Sequence, residues 1–176
     1  MLADEAMTAR FQHEVLVHLD AAYNLARWLT GEDATAEDAV QEACLRAFRF
    51  FEGQRGESPK AWFMAIVRNA SLDSLKASSR SAHHEEYDDE IHGASTLEGP
   101  DIAVARDSDA RSVRACIAGL PREYREVIVL RELEGLAYKE IGAIVGVPIG
   151  TVMSRLARGR DLLQQRLLAQ HRKLAP

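Results

Sequence analysis

Leu136 to Arg160, LAYKEIGAIVGVPIGTVMSRLARGR, carries the strongest local signal in the chain. Ile141, Ile144 and Val145 fall on one face at helical spacing, Gly146 can take a positive φ, and Pro148 suits the first turn of a new helix. Two short helices joined by so tight a turn make a helix-turn-helix. In the second helix Val152 and Leu156, four residues apart, face inward, leaving Thr151, Ser154, Arg155 and Arg158 on other faces. Arg160 and Arg166 extend the cationic series, with only Asp161 opposing. Arginine reads guanine bidentately, serine and threonine bond bases or phosphates, and a helix start holds a phosphate on its free N–H groups. Such a helix suits the major groove of DNA.

Upstream of this motif, Val113, Ile117 and Leu120 mark a helix, and Pro121 opens another that carries Tyr124, Val127, Ile128 and Leu130 until Gly135 ends it. From Ala77 to about Ala105 no apolar period is sustained, and residues 77–109 carry a net charge of −7. This is the signature of a flexible acidic linker. Ahead of it, Phe11, Val15, Leu19, Tyr23 and Ala26 trace one amphipathic helix closed by Gly31. A second helix is expected from Thr35, capped by the Thr35–Asp38 pair, with Val40, Ala43, Cys44, Ala47 and Phe48 inside. Leu45 is assigned to the core with Phe48, and Asp38, Gln41, Glu42 and Arg46 to the outer face. Ser58 and Pro59 are an N-cap and first-turn pair for a third helix through Trp62, Ile66, Val67 and Leu75.

The expected fold is therefore all-α: a helical bundle over residues 1–76, a linker over 77–105 and a helix-turn-helix domain over 106–176. A composition 47% hydrophobic but only 6% aromatic favours packed helices over a large sheet. Charge is divided, with −4 in residues 1–76 and +6 in 110–176 around the acidic linker. The net −5 excludes a protein that coats nucleic acid indiscriminately, so any DNA contact comes from a local basic face. Cys44 and Cys116 sit in apolar helical patterns without a CxxC neighbour, as free thiols of a reduced, cytoplasmic protein do. MLADEAMTAR has no apolar signal-peptide core, and no stretch has the length and hydrophobicity of a membrane span, so neither export nor membrane insertion is expected. No phosphate-cradling loop, nucleophile elbow or paired carboxylates emerge, and His83-His84 with Glu85-Glu86 lies in a tract that fixes no coordination geometry. No catalytic residue, cofactor or metal site is expected.

The chain resembles the extracytoplasmic-function sigma factors, the minimal two-domain form of the bacterial sigma-70 class. LPREYREVIVLRELEGLAYKEIGAIVGVPIGTVMSRLARGRDLL resembles region 4, which reads the promoter −35 element; DAVQEACLRAFRFF followed by SPKAWFMAIVRNASLD resembles region 2, which binds core polymerase and captures the melted −10 strand. The resemblance implies that Thr151, Ser154, Arg155 and Arg158 contact −35 DNA. Met153 and Ala157 depart from the family's usual side chains there, which shifts the expected promoter preference. The loop Gly53–Ser58 matches the one that accepts a flipped base, so Arg55 and Ser58, with Trp62, Arg68, Asn69 and Lys76 on the following helix, are the implied −10 contacts. Asp38, Gln41 and Glu42 match the surface that docks on the β′ clamp helices. Implied partners are core RNA polymerase, through those helices and the β flap, promoter DNA and an anti-sigma factor that clasps both domains. The acidic linker is implied to thread polymerase channels that otherwise hold nucleic acid. An autonomous helix-turn-helix regulator with a dimerising or sensing bundle is the competing expectation, but such a bundle has no need of SPKAWFMAIVRN and its preceding loop. A purely protein-binding adapter would leave Arg155 and Arg158 unexplained.

Overall fold

The computed structural model describes residues 2–54, 56, 58–82 and 104–174, and these contain helices and turns but no strand. The N-terminal half holds α1 (Leu2–Glu14), α2 (Leu19–Thr30), α3 (Asp33–Phe50) and α4 (Pro59–Ala82); the C-terminal half holds α5 (Val104–Ala118), α6 (Arg122–Ile128), α7 (Tyr138–Val145) and α8 (Ile149–Leu174). Helix α4 runs six residues beyond Lys76, and the span 83–103, with its histidines and most of its acids, lies outside the described residues.

Helices α2, α3 and α4 pack on one another around Leu25, Ala26, Ala39, Ala43, Phe63, Met64 and Val67. The alanines let the α2 and α3 backbones approach closely, and Phe63, on α4, is fully buried. Phe11 stands edge-on to both Phe48 and Phe51, at 5.1 and 5.3 Å between centroids, which fastens α1 to the end of α3. Ser58 caps α4 as expected, its Oγ accepting from Ala61 N–H at 3.1 Å.

Four local expectations are corrected. The single helix expected from Phe11 onward is two, broken by a tight 3₁₀ turn at Leu16–His18; that stretch has no glycine or proline to announce the break. Helix α3 starts two residues before Thr35, at Asp33, and the Thr35 hydroxyl donates to the Glu32 carboxylate at 2.8 Å instead of pairing with Asp38. Leu45 and Phe48 are not core: they are 63% and 42% exposed, because α3 buries the narrow stripe Ala36–Ala39–Val40–Ala43–Ala47 and both lie beside it. Val113 is likewise exposed, whereas Ile117 and Leu120 are buried as expected.

In the C-terminal half, α6 passes into a π-helical turn at Val129–Leu133, and Gly135, at φ +69°, reverses the chain into α7. Val127, Ile128, Leu130, Ile141, Val152 and Leu156 form its core. Gly159 brings α8 against α6; a Cβ there would lie 3.0 Å from Ile128 and 3.4 Å from Tyr124.

The halves touch. Helix α2 lies against α6, and α4 against α7. Arg125 of α6 donates to the Trp28 carbonyl near the end of α2 at 3.0 Å, a favourable place for a cation, and to the Leu120 carbonyl at 2.9 Å. Burial holds the Arg125 guanidinium below its ordinary pKa. At a second corner Glu134 accepts from Asn24 at 2.6 Å and pairs with Lys60 at 3.4 Å, while Lys60 also donates to the Glu134 carbonyl at 2.8 Å. His18 stands near this corner, its pKa lowered by burial and then by Lys60. A folded pKa below the ordinary value of 6.5 contributes stability above that value, lost as pH falls through the folded pKa. Acidification through this range is expected to increase hydrogen exchange around Asn24 and Lys60, and His18→Gln to flatten that response.

Candidate nucleic-acid interface

Helix α7 closes in the left-handed conformation at Gly146, φ +76°, whose N–H donates to the Gly142 carbonyl at 2.9 Å. Val147 N–H donates to the same carbonyl at 3.0 Å, so one oxygen seals the turn. At the other end of α7 the Glu140 carboxylate accepts from Ala137 N–H at 2.7 Å. The Pro148 carbonyl then accepts from Thr151 and Val152 and starts α8, which leaves α7 at 98°. The expected helix-turn-helix is present, with Val152 and Leu156 fully buried.

Holding α8 by that face turns Met153, Ser154, Ala157 and Arg158 to solvent. Arg158 has no ion-pair or hydrogen-bond partner among the described residues. Ser154 donates to the Thr151 carbonyl at 3.0 Å, and Thr151 is half-buried at the helix start. Arg155 points elsewhere, back toward α6, 3.8 Å from Glu123 and 3.9 Å from Glu126. Arg160 pairs with Glu132 at 2.6 Å and is thereby held above its ordinary pKa.

On α4, Trp62, Asn69 and Lys76 recur every seventh residue and so share a face. Trp62 is half-buried, its ring 6.5 Å from Phe51, and Asn69 and Lys76 are exposed. Arg68 lies one residue off this face and is turned to α6, where its fork grips Glu126 at 2.9 and 3.2 Å. The structure thus gathers Trp62, Asn69 and Lys76 and sets Arg68 apart. Arg55 lies outside the described residues.

Asp38, Gln41 and Glu42 are exposed together on α3, and Leu45 continues their face at the next turn. Glu42 pairs with Arg46 at 2.6 Å, and Arg46 also reaches Asp73 at 3.1 Å. An exposed leucine beside acids gives this surface an apolar centre that helical periodicity around Val40 had hidden. Glu126 is the other group missed: it is a 3% exposed carboxylate whose burial depends on an arginine 58 residues away.

Residues 15–81 match the family description "Sigma-70 region 2", and residues 110–163 match "Sigma-70, region 4". The ECF RNA polymerase sigma-E factor of Escherichia coli K12 is 31% identical over 92% of this chain and 84% of its own length. The chain belongs to the ECF sigma factors. The ECF sigma factor SigE of Mycolicibacterium smegmatis is 36% identical over 96% of the chain, which spans 65% of that relative's length. Among solved structures, the sigma factor RpoE of Bartonella quintana in complex with the anti-sigma factor NepR superposes with a TM-score of 0.72 at 27% identity, covering 90% of this chain and 96% of that one. These likenesses support the polymerase-subunit expectation over the autonomous regulator. No group of three or more metal-ligating side chains occurs among the described residues of this sigma factor, and none of its described helices is by itself long and apolar enough to cross a membrane.

Proposed function

We propose that this sigma factor directs core RNA polymerase to specific promoters in the cytoplasm, docking α3 on the β′ clamp helices and region 4 on the β flap. It does not itself polymerise RNA. The observation that carries this reading is the pairing, in one chain, of an exposed acidic and apolar α3 face with a helix-turn-helix whose free arginine faces outward. The α3 surface offers Asp38, Gln41 and Glu42 to a basic partner, with Leu45 as its desolvated centre. Helix α8 then lies in the −35 major groove, with Ser154 and Arg158 toward base edges and phosphates, Thr151 at the helix start and Arg155 joining once freed from α6. The α4 face of Trp62, Asn69 and Lys76 receives the unstacked −10 strand: an aromatic wall, an amide for a base edge and a cation for the backbone. Arg55 and Ser58 at the loop and Arg68 beside the face complete the −10 set. The acidic segment threads the polymerase channel, and an anti-sigma factor covers both halves.

Purified chain added to core polymerase lacking any sigma is expected to support initiation from specific genomic fragments. Absence of initiation together with absence of co-migration with core would refute the reading. Arg158→Ala is expected to weaken −35 binding by about 1 to 3 kcal/mol and to reduce the salt slope of binding by about 1. Fluorescence anisotropy across a salt series measures both, and an unchanged slope removes Arg158 from the interface.

A further inference from the structure

Glu126 is a carboxylate in a place where stability alone gives no reason for one. It is 3% exposed on α6, and an apolar side chain of similar shape would fill the site without the desolvation cost of a charge. Its two oxygens take the Nε and Nη2 of Arg68 at 2.9 and 3.2 Å, the parallel fork that arginine also offers a phosphate. One of those oxygens lies 3.9 Å from Arg155, which also approaches Glu123 at 3.8 Å. The two arginines come from opposite halves of the chain and belong to different DNA surfaces. Both forks are turned into the protein, with only 16% of the Arg68 and 23% of the Arg155 side chain exposed. Arg158, one turn along α8, remains exposed.

We propose that Glu126 is an internal phosphate surrogate: in the free chain it binds Arg68 of the −10 surface across the two halves and faces Arg155 of the −35 helix within its own half, so that removing its charge releases both arginines, whereas parting of the halves releases Arg68 alone. This rests on the assignment of those arginines to DNA. The device makes the free chain a poor DNA binder and couples the two grips through one residue. Apparent affinity scales with the fraction of molecules in the competent state, so a latch closed in nine-tenths of molecules weakens binding about tenfold.

The test uses the full-length chain and a short fluorescein-labelled duplex of random sequence, which reports phosphate contacts without knowledge of the promoter. Glu126→Gln is expected to tighten binding about tenfold, and to steepen the dependence of log affinity on log salt by about 1 as Arg155 joins the phosphate contacts. The radius of gyration from X-ray scattering is expected to rise with it. Glu126→Asp keeps the charge but draws the carboxylate back by one methylene, and is expected to give a smaller gain in the same direction; it carries the test if the glutamine variant does not fold. Glu134→Gln loosens the other corner between the halves without touching either arginine. A Glu126→Gln affinity within about twofold of wild type, or a gain equalled by Glu134→Gln, overturns the proposal. Initiation with core polymerase is measured in parallel: its failure counts against the polymerase reading, while the duplex titration still decides the latch.

Discussion

Truncation of Phe63 to alanine is expected to destabilise the N-terminal half by about 3 to 5 kcal/mol, the range for emptying a fully buried aromatic site. Phe63 has no exposed surface and sits on α4, the helix that packs against both α2 and α3. The buried faces of α2 and α3, against which α4 packs, are rich in alanine (Ala22, Ala26, Ala39 and Ala43), and such short side chains have little reach with which to collapse into a void. Domains of this size are stable by only about 5 to 15 kcal/mol, and the loss takes a large part of that margin. Urea denaturation followed by the fluorescence of Trp28 and Trp62 is expected to show a lower midpoint at an unchanged slope. The effect reaches function because α4 also presents Trp62, Asn69 and Lys76: the variant is expected to lose single-strand binding before it loses helicity. Trp62→Ala is the contrast. Its ring is only half-buried, so a smaller stability loss with an equal loss of strand binding would separate its role at the surface from its role in the core.

The parts of this molecule that were legible in the sequence are those governed by short-range chemistry. Gly146 and Pro148 mark the helix-turn-helix because one must supply a positive φ and the other cannot continue a helix. Ser58 and Pro59 mark the start of α4 for similar reasons. The break between α1 and α2 lacked any such residue. Leu45 is apolar yet exposed, because its angle around α3 puts it beside Gln41 and Glu42, and apolar character alone does not specify burial. The Glu126 latch and the Glu134 corner were out of reach for a different reason: each joins residues 58 or more apart, and no local pattern shows that a carboxylate at either position is buried. Met153 and Ala157, singled out as departures from the family, do lie on the exposed side of α8, so the DNA preference they would modify belongs to an open surface.

Gly142 carries no turn signal of the kind Gly146 does, yet its substitution is expected to be the more damaging to the DNA-binding half. Gly142 lies inside α7 with ordinary helical backbone, so conformation does not require glycine there. Space does: a Cβ would lie 2.9 Å from the Val147 carbonyl oxygen, with a Val152 methyl 3.7 Å away. The obstructing atom is main chain in the turn itself, so it cannot rotate aside as a side-chain end could. Relief requires α8 to move away from α7, opening the contact that buries Val152 and disturbing the two bonds accepted by the Gly142 carbonyl. Gly142→Val is therefore expected to cost about 3 kcal/mol, the upper end of the usual range for overpacking. Re-aiming α8 also removes Ser154 and Arg158 from any shared groove, so duplex binding is expected to fall to background while co-migration with core polymerase through α3 persists. Gly150 supplies the control, since a Cβ there meets nothing within 4 Å. Gly150→Ala is expected to be neutral or to stabilise the first turn of α8 by up to about 1 kcal/mol. Thermal melting of both variants, read with duplex anisotropy, distinguishes a packing requirement at Gly142 from a general intolerance of larger residues in the motif: equal losses at both glycines would refute the packing argument.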